Sequence, residues 1–137
     1  MNQKTFKKNH FLVSSFPELV AAIIQDEWGR ILVSQRALDS KAYPGKWQIP
    51  GGKVEPGEEG LAALKREVKE ETNLEITAIN DLLFKWFNVS IYQVVADGEL
   101  KVMEPSKVNT KWVYLEMEEL RKKELTPALA ELLKQFI

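Results

Sequence analysis

Apolar residues recur in two rhythms along this chain of 137 residues. Residues 19–25 and 31–35 are apolar and β-branched, and Asp26-Glu27-Trp28-Gly29-Arg30 between them supplies a turn, so the pattern predicts a β-hairpin. Pro44-Gly45, Pro50-Gly51-Gly52 and Pro56-Gly57 break up residues 41–57. That density of breakers predicts a structured loop around a short strand at 47–49. A helix then opens at Glu58 or Glu59 and runs to about Thr72, with Leu61, Leu64 and Val68 as its apolar stripe. Asn73 is its stop, because asparagine tolerates the left-handed conformation that ends many helices. Strands are expected at 74–79, 82–88 and 90–95, then a turn at Asp97-Gly98 into a strand at 99–103, and another strand at 111–115. Pro127 suits the first turn of a last helix whose stripe is Leu129, Leu132, Leu133 and Phe136. Strands mixed with two or three helices predict an α/β fold, a mixed β-sheet with helices packed on its faces. No repeat or linker divides the chain, so one domain over residues 1–137 is expected, with 1–15 as a loosely ordered polar arm.

Composition narrows the chemistry. Lys+Arg 19 against Asp+Glu 20 leaves a net charge of -1, which provides no broad basic surface for polymeric nucleic acid. Cys 0 removes disulfides, thiolate catalysis and Cys-ligated zinc, and the lone His10 cannot build a His-rich metal site. Any metal would have to sit on oxygen ligands. The longest uninterrupted apolar run, residues 19–24, is far short of the ~20 residues of a membrane span. The basic start at Lys4, Lys7 and Lys8 leads only to Phe11-Leu12-Val13 before Ser14-Ser15 and Pro17-Glu18 intervene, which is too little for a signal peptide. No membrane partner and a cytoplasmic location are expected.

On the middle helix Glu67, Glu70 and Glu71 stand at i, i+3 and i+4, within roughly 100° of arc. Two or three converging carboxylates suit Mg²⁺, a hard cation that prefers oxygen ligands. Taken alone, the same glutamates also read as a solvated face with Arg66 and Glu70 paired at i, i+4. The residues before the helix add to this. Gly51-Gly52 marks a place where backbone must come close to a neighbour. Gly52, five residues, Glu58, seven residues and then Arg66-Glu67-Val68-Lys69-Glu70-Glu71-Thr72-Asn73-Leu74 resembles the Nudix box, G-x5-E-x7-R-E-U-x-E-E-x-G-U with U aliphatic. The one departure is Asn73 in place of the last glycine, and asparagine is the next-best residue for a left-handed helix end. The box covers residues 52–74, and the flanking Pro44-Gly45-Lys46-Trp47 and Ile49-Pro50-Gly51-Gly52-Lys53-Val54-Glu55 are similar to MutT-type members.

This resemblance implies a Nudix-like α/β/α sandwich and a pyrophosphohydrolase. Its substrate would be a nucleoside triphosphate or related nucleoside diphosphate derivative, and its products a monophosphate and pyrophosphate. Glu67, Glu70 and Glu71 would be ligands of Mg²⁺, or Mn²⁺ in its place, helped by the backbone carbonyl of Gly52. Glu58 lies nine residues before Glu67, on about the opposite side of a continuous helix, so it would anchor the loop through Arg66. Arg66 joins the catalytic set as that orienting partner. Cleaving a phosphoanhydride brings water to a phosphorus surrounded by negative oxygens, so metal ions and a proton acceptor are both needed. The acceptor would be a helix glutamate, Glu70 or Glu71, or Glu104 on the later loop. Arg36 and Lys53 match basic positions that face the polyphosphate.

A base needs an aromatic platform, and Trp47, Phe84, Trp86, Phe87, Tyr92 and Trp112 are candidates either for that or for the core. MutT-type enzymes that read 8-oxoguanine carry an Asn just before the last helix, where Thr126-Pro127-Ala128-Leu129 places Leu129. Asn109 or Glu116 would then be an alternative polar reader. Tyr92, 18 residues past Leu74, keeps a dinucleoside polyphosphate hydrolase open, whereas Val89 and Ser90 stand where ADP-ribose hydrolases carry a proline. A non-catalytic Nudix-fold regulator would usually lose part of the glutamate set, and an isopentenyl-diphosphate isomerase in its best-known form would need a cysteine. The expected partner is a small-molecule nucleotide, bound by a monomer or homodimer.

Overall fold

The computed structural model describes residues 17–101 and 111–135. The elements run β1 (Leu19–Ile24), β2 (Ile31–Gln35), β3 (Trp47–Gln48), β4 (Gly51–Lys53), α1 (Gly60–Thr72), β5 (Glu75–Trp86), β6 (Val89–Asp97), β7 (Val113–Leu115), α2 (Met117–Leu120) and α3 (Pro127–Lys134). A four-stranded sheet has the order β4-β1-β6-β5, and a three-stranded sheet the order β3-β2-β7. The β1–β6 pair is parallel and the others antiparallel, so the larger sheet is mixed, as the pattern predicts.

The expected hairpin of β1 and β2 does not form. The connection does turn: the Asp26 carboxylate accepts the N–H groups of Trp28 and Arg30 and the Arg30 Nε–H, with Gly29 at φ 82°. Beyond one bridge at Gln25–Ile31 the strands part into different sheets. Both are almost wholly buried, and such apolar runs need cover on both faces and a partner on each edge. Separate sheets supply this: β1 lies between β4 and β6, β2 between β3 and β7.

The strands expected at 74–79 and 82–88 are one strand, β5, which pairs with β6 from Glu75–Asp97 to Trp86–Val89. Of three register shifts along it, the one between Ile79 and Asp81 carries the polar Asn80-Asp81 without ending the ladder, as a β-bulge does. Residues 99–101 are not a strand. They close the end of α1 instead: the Lys101 N–H donates to Thr72 O, and Asn73 Nδ2 donates to Glu99 O. A helix end offers orphan carbonyls, and this segment takes one of them. Residues 102 and 103 of that expected strand lie outside the described residues.

Helix α1 ends where the sequence predicts, on Asn73 at φ 69°, whose N–H donates to Lys69 O. Its buried face is Ala63, Leu64, Val68 and Thr72; Leu61 shares that angle but sits in the first turn and stays exposed. Alternation along β1 sends Val20, Ala22 and Ile24 to a core under α1 with Leu32, Leu64, Val68, Val94 and Trp112. Ile23 joins Ile31, Val33 and Ile91 in a second core closed by Leu120, Leu129, Leu132 and Leu133 of α2 and α3. Each of these buried leucines contributes roughly 1.5–3 kcal/mol. Helix, strands and helices therefore form the α/β/α sandwich, and α3 starts on Pro127 as read; Phe136 lies outside the described residues.

Candidate active site

The site grows from the contact of β4 with α1. Residues of β4 pair with β1, Val20–Gly52 and Ala21–Gly51, and α1 crosses back over them. Gly51 N–H donates to Glu71 Oε1 at 2.9 Å. The Glu67 carboxylate lies so close to Gly52 that a Cβ there would stand 2.3 Å from its Cδ. Only glycine leaves that cradle, which is the close approach that Gly51-Gly52 predicts.

Arg66 organises the neighbouring acids. Its Nε donates to Glu58 Oε2 at 2.9 Å and its Nη2 to Glu58 Oε1 at 3.0 Å, a bidentate pair. Nη1 donates to Glu67 Oε1 at 2.9 Å and reaches Glu70 at 3.4 Å, while Nη2 also donates to Lys53 O at 3.1 Å. Glu58 stands in the loop before α1, where the Glu55 N–H also donates to it. The Arg66 hydrogen bonds, with that N–H, hold the Glu58 carboxyl below the usual range and raise Arg66. Burial pushes Glu67 up, a rise that Arg66 opposes and that Glu70 and Glu55 add to.

Gly52, Glu58, Arg66, Glu67 and Glu70 thus meet, with Glu71 one residue along β4 at Gly51. Among the described residues no three carboxylates are already gathered as an ion's ligands, because Glu67 and Glu70 turn to Arg66 and Glu71 to Gly51. The donor chemistry nonetheless fits a hard divalent cation: carboxylates and carbonyls only, a half-buried Glu67 that wants positive charge, and an exposed Glu70 held loosely. Glu104 and Asn109 lie outside the described residues.

A cavity of about 440 Å³ opens beside Gly51 and Gly52, lined among others by Arg36, Tyr43, Trp86 and Leu129. Lys53 is exposed and Glu116 stands at the N-terminal boundary of α2 with no capping side-chain bond, and neither lines the cavity. Arg36 directs three donors into the protein: Nε to Ala42 O, Nη1 to Gln48 Oε1 and Nη2 to Ser40 Oγ, at 2.7–2.9 Å. Of the aromatic candidates Trp86 lines the cavity, with Phe87 edge-on to it and exposed. Trp47 and Phe84 pack in the core under α3, Tyr92 and Trp112 in that under α1. Tyr43 is missed by the sequence reading. It lines the cavity at φ 47°, a left-handed conformation that costs a bulky residue ~1–3 kcal/mol. Its only sequence signal is its place before Pro44-Gly45.

Sandwich, glycine-cradled carboxylates and adjoining cavity together make the candidate site. The NUDIX domain model matches residues 16–136, so the chain belongs to the Nudix family, as its box predicts. It is 42% identical over 69 residues to "Nucleoside triphosphatase NudI" of Enterobacter sp. (strain 638), 49% of this chain and 48% of that protein. It is 48% identical over 60 residues to "CTP pyrophosphohydrolase" of Escherichia coli (strain K12), 44% of this chain and 43% of that one. The chain thus spans about half the length of the curated relatives it matches. Among solved structures, the E. coli ORF135 protein superposes with a TM-score of 0.64 at 30% identity, over 88% of this chain and 87% of that one. No helix of the described residues is long and apolar enough to cross a membrane.

Proposed function

We propose that this protein is a divalent-metal-dependent pyrophosphohydrolase that converts a nucleoside triphosphate to the monophosphate and pyrophosphate. The observation that carries the reading is that Gly51-Gly52 is shared: one side cradles the α1 carboxylates, the other lines the cavity. A nucleoside seated in the cavity leads its phosphates along the glycine pair to the acids. Glu67, Glu70 and Glu71 with the Gly52 carbonyl would hold Mg²⁺ or Mn²⁺, and the ion when bound supplies charge neutralisation and a more acidic water. Arg66 keeps Glu67 and the Glu58 loop in register. Glu70, the most exposed of the helix acids, or Glu104 takes the proton as water adds to phosphorus and the phosphoanhydride bond breaks, with pyrophosphate leaving. Tyr92 supports the dinucleoside polyphosphate alternative less well, because it packs against the core under α1. The intact glutamate set favours catalysis over a purely regulatory binding role. The enzyme would work in the cytoplasm, as a monomer or homodimer, on a small nucleotide.

The test is incubation of the protein with a nucleotide panel and Mg²⁺, products resolved by anion exchange. Equal monophosphate and pyrophosphate, abolished by EDTA and restored by Mg²⁺ or Mn²⁺, are expected. Orthophosphate alone, or turnover undiminished by EDTA, would overturn the reading.

A further inference from the structure

We propose that Tyr43 is the surface on which the base stacks in this cavity, and that Arg36 is the positioning residue that holds it there. The proposal rests on the nucleotide reading above and goes beyond it to how the base is recognised. Tyr43 is a bulky residue at φ 47°, half-exposed, and it lines the cavity together with Trp86. Such a conformation persists only where its surroundings over-determine it. Here they do. The Lys46 N–H donates to Tyr43 O, the Gly45 N–H to Arg36 O, the Arg36 N–H to Lys46 O and the Gln35 side chain to Gly45 O. The Arg36 guanidinium fastens the other flank, through Ala42 O next to Tyr43 and Ser40 Oγ, and ties both to Gln48 of β3. These bonds change the expectation for Arg36: its side chain builds the loop.

The rest of the cavity favours stacking over hydrogen-bonded readout. Ile91, Pro127 and Leu129 give it apolar wall. One end of each of its amide side chains is already engaged, Gln48 Oε1 by Arg36 and Asn88 Nδ2 on Pro17 O. A flat base therefore gains most from ring faces, which every base offers.

The experiment compares wild type, Tyr43→Phe, Tyr43→Ala, Arg36→Ala and the double alanine variant by kcat and KM for dGTP and dCTP. Binding of GMP and of ribose 5-phosphate by calorimetry, and melting curves, accompany it. Stacking of one base is worth roughly 5–150-fold by alanine substitution. Tyr43→Ala should raise KM and weaken GMP binding about that much, leave kcat within about threefold, and leave ribose 5-phosphate untouched; Tyr43→Phe should match wild type. Arg36→Ala should reproduce the KM effect, with the double variant no worse than Arg36→Ala alone, since coupled residues are not additive. Unchanged KM and GMP affinity in a folded Tyr43→Ala would overturn the proposal. So would multiplying Arg36 and Tyr43 effects, or a kcat-only loss in Arg36→Ala, which mark an independent phosphate contact. Wild type that binds GMP in this manner but hydrolyses no nucleotide refutes the proposed function and supports the stacking site; wild type that binds no GMP refutes the stacking site.

Discussion

Two adjacent glycines should respond to alanine in opposite ways. At Gly52 the atoms nearest the added Cβ would all belong to the end of the Glu67 side chain, 2.3 Å to Cδ and 2.4 Å to Oε2. Its φ is not in the left-handed region, so alanine is tolerated by the backbone and even removes unfolded-state freedom, worth ~0.4–1 kcal/mol. The carboxylate must retreat by about 1 Å to ordinary contact distance, and a misplacement of that size costs a reaction ~100-fold. At Gly51 the Cβ would stand 2.2 Å from Val20 O and 2.7 Å from Ala21 Cα, both backbone of β1. A strand cannot turn aside as a side chain can, so overpacking of ~1–3 kcal/mol follows. For a domain of this size that lowers Tm by about 3 °C per kcal/mol or somewhat more. Gly52→Ala should therefore melt within about 2 °C of wild type in metal-free buffer and lose ~100-fold in kcat/KM. Gly51→Ala should melt clearly lower. Melting by circular dichroism and hydrolysis of dCTP with Mg²⁺ measure both. A fully active Gly52→Ala, or one that melts as low as Gly51→Ala, would refute the cradle argument.

Glu70→Gln and Glu71→Gln should lose most turnover while staying folded, since Glu70 is exposed and a glutamine at 71 still accepts the Gly51 N–H; a large drop in Tm for both would mark them as structural. Base preference should be shallow, because Leu129 presents a methyl surface and apolar sites discriminate by only about 10–200-fold; kcat/KM for 8-oxo-dGTP, dGTP and dCTP should fall within about two orders of magnitude, and a ~10⁴-fold choice of one would reveal a polar reader. Glu58 has its carboxyl held down by Arg66, so its stabilising contribution is present above about pH 4.5 and is lost as pH falls through the lowered value. The Tm gap between wild type and Glu58→Gln should thus be open at pH 7 and shrink below pH 4.5; a gap that widens on acidification contradicts that sign.

What the sequence alone determined is local. The left-handed stop at Asn73, the helix start at Pro127 and the arc shared by Glu67, Glu70 and Glu71 follow from φ preferences and a 3.6-residue period. The family followed from the spacing of the box, for the same reason. Everything that depended on a distant neighbour waited for the tertiary structure. The apolar runs 19–25 and 31–35 are equally good for a hairpin or for two sheet centres, and the available edges of β3, β4, β6 and β7 chose the second. Asn80-Asp81 reads as a break, yet pairing with β6 carried the strand through it by a bulge. Arg36 reads as a phosphate contact from its position, and only the fold shows that three of its five N–H donors go to Ala42 O, Ser40 Oγ and Gln48 Oε1. Tyr43 has only its place before Pro44-Gly45 to mark it, which does not foretell a left-handed tyrosine beside a cavity that strands, loop and α3 create together. Period and dihedral preference belong to a residue and its near neighbours, whereas edge pairing, burial and donor geometry belong to whichever segments the folded chain brings alongside.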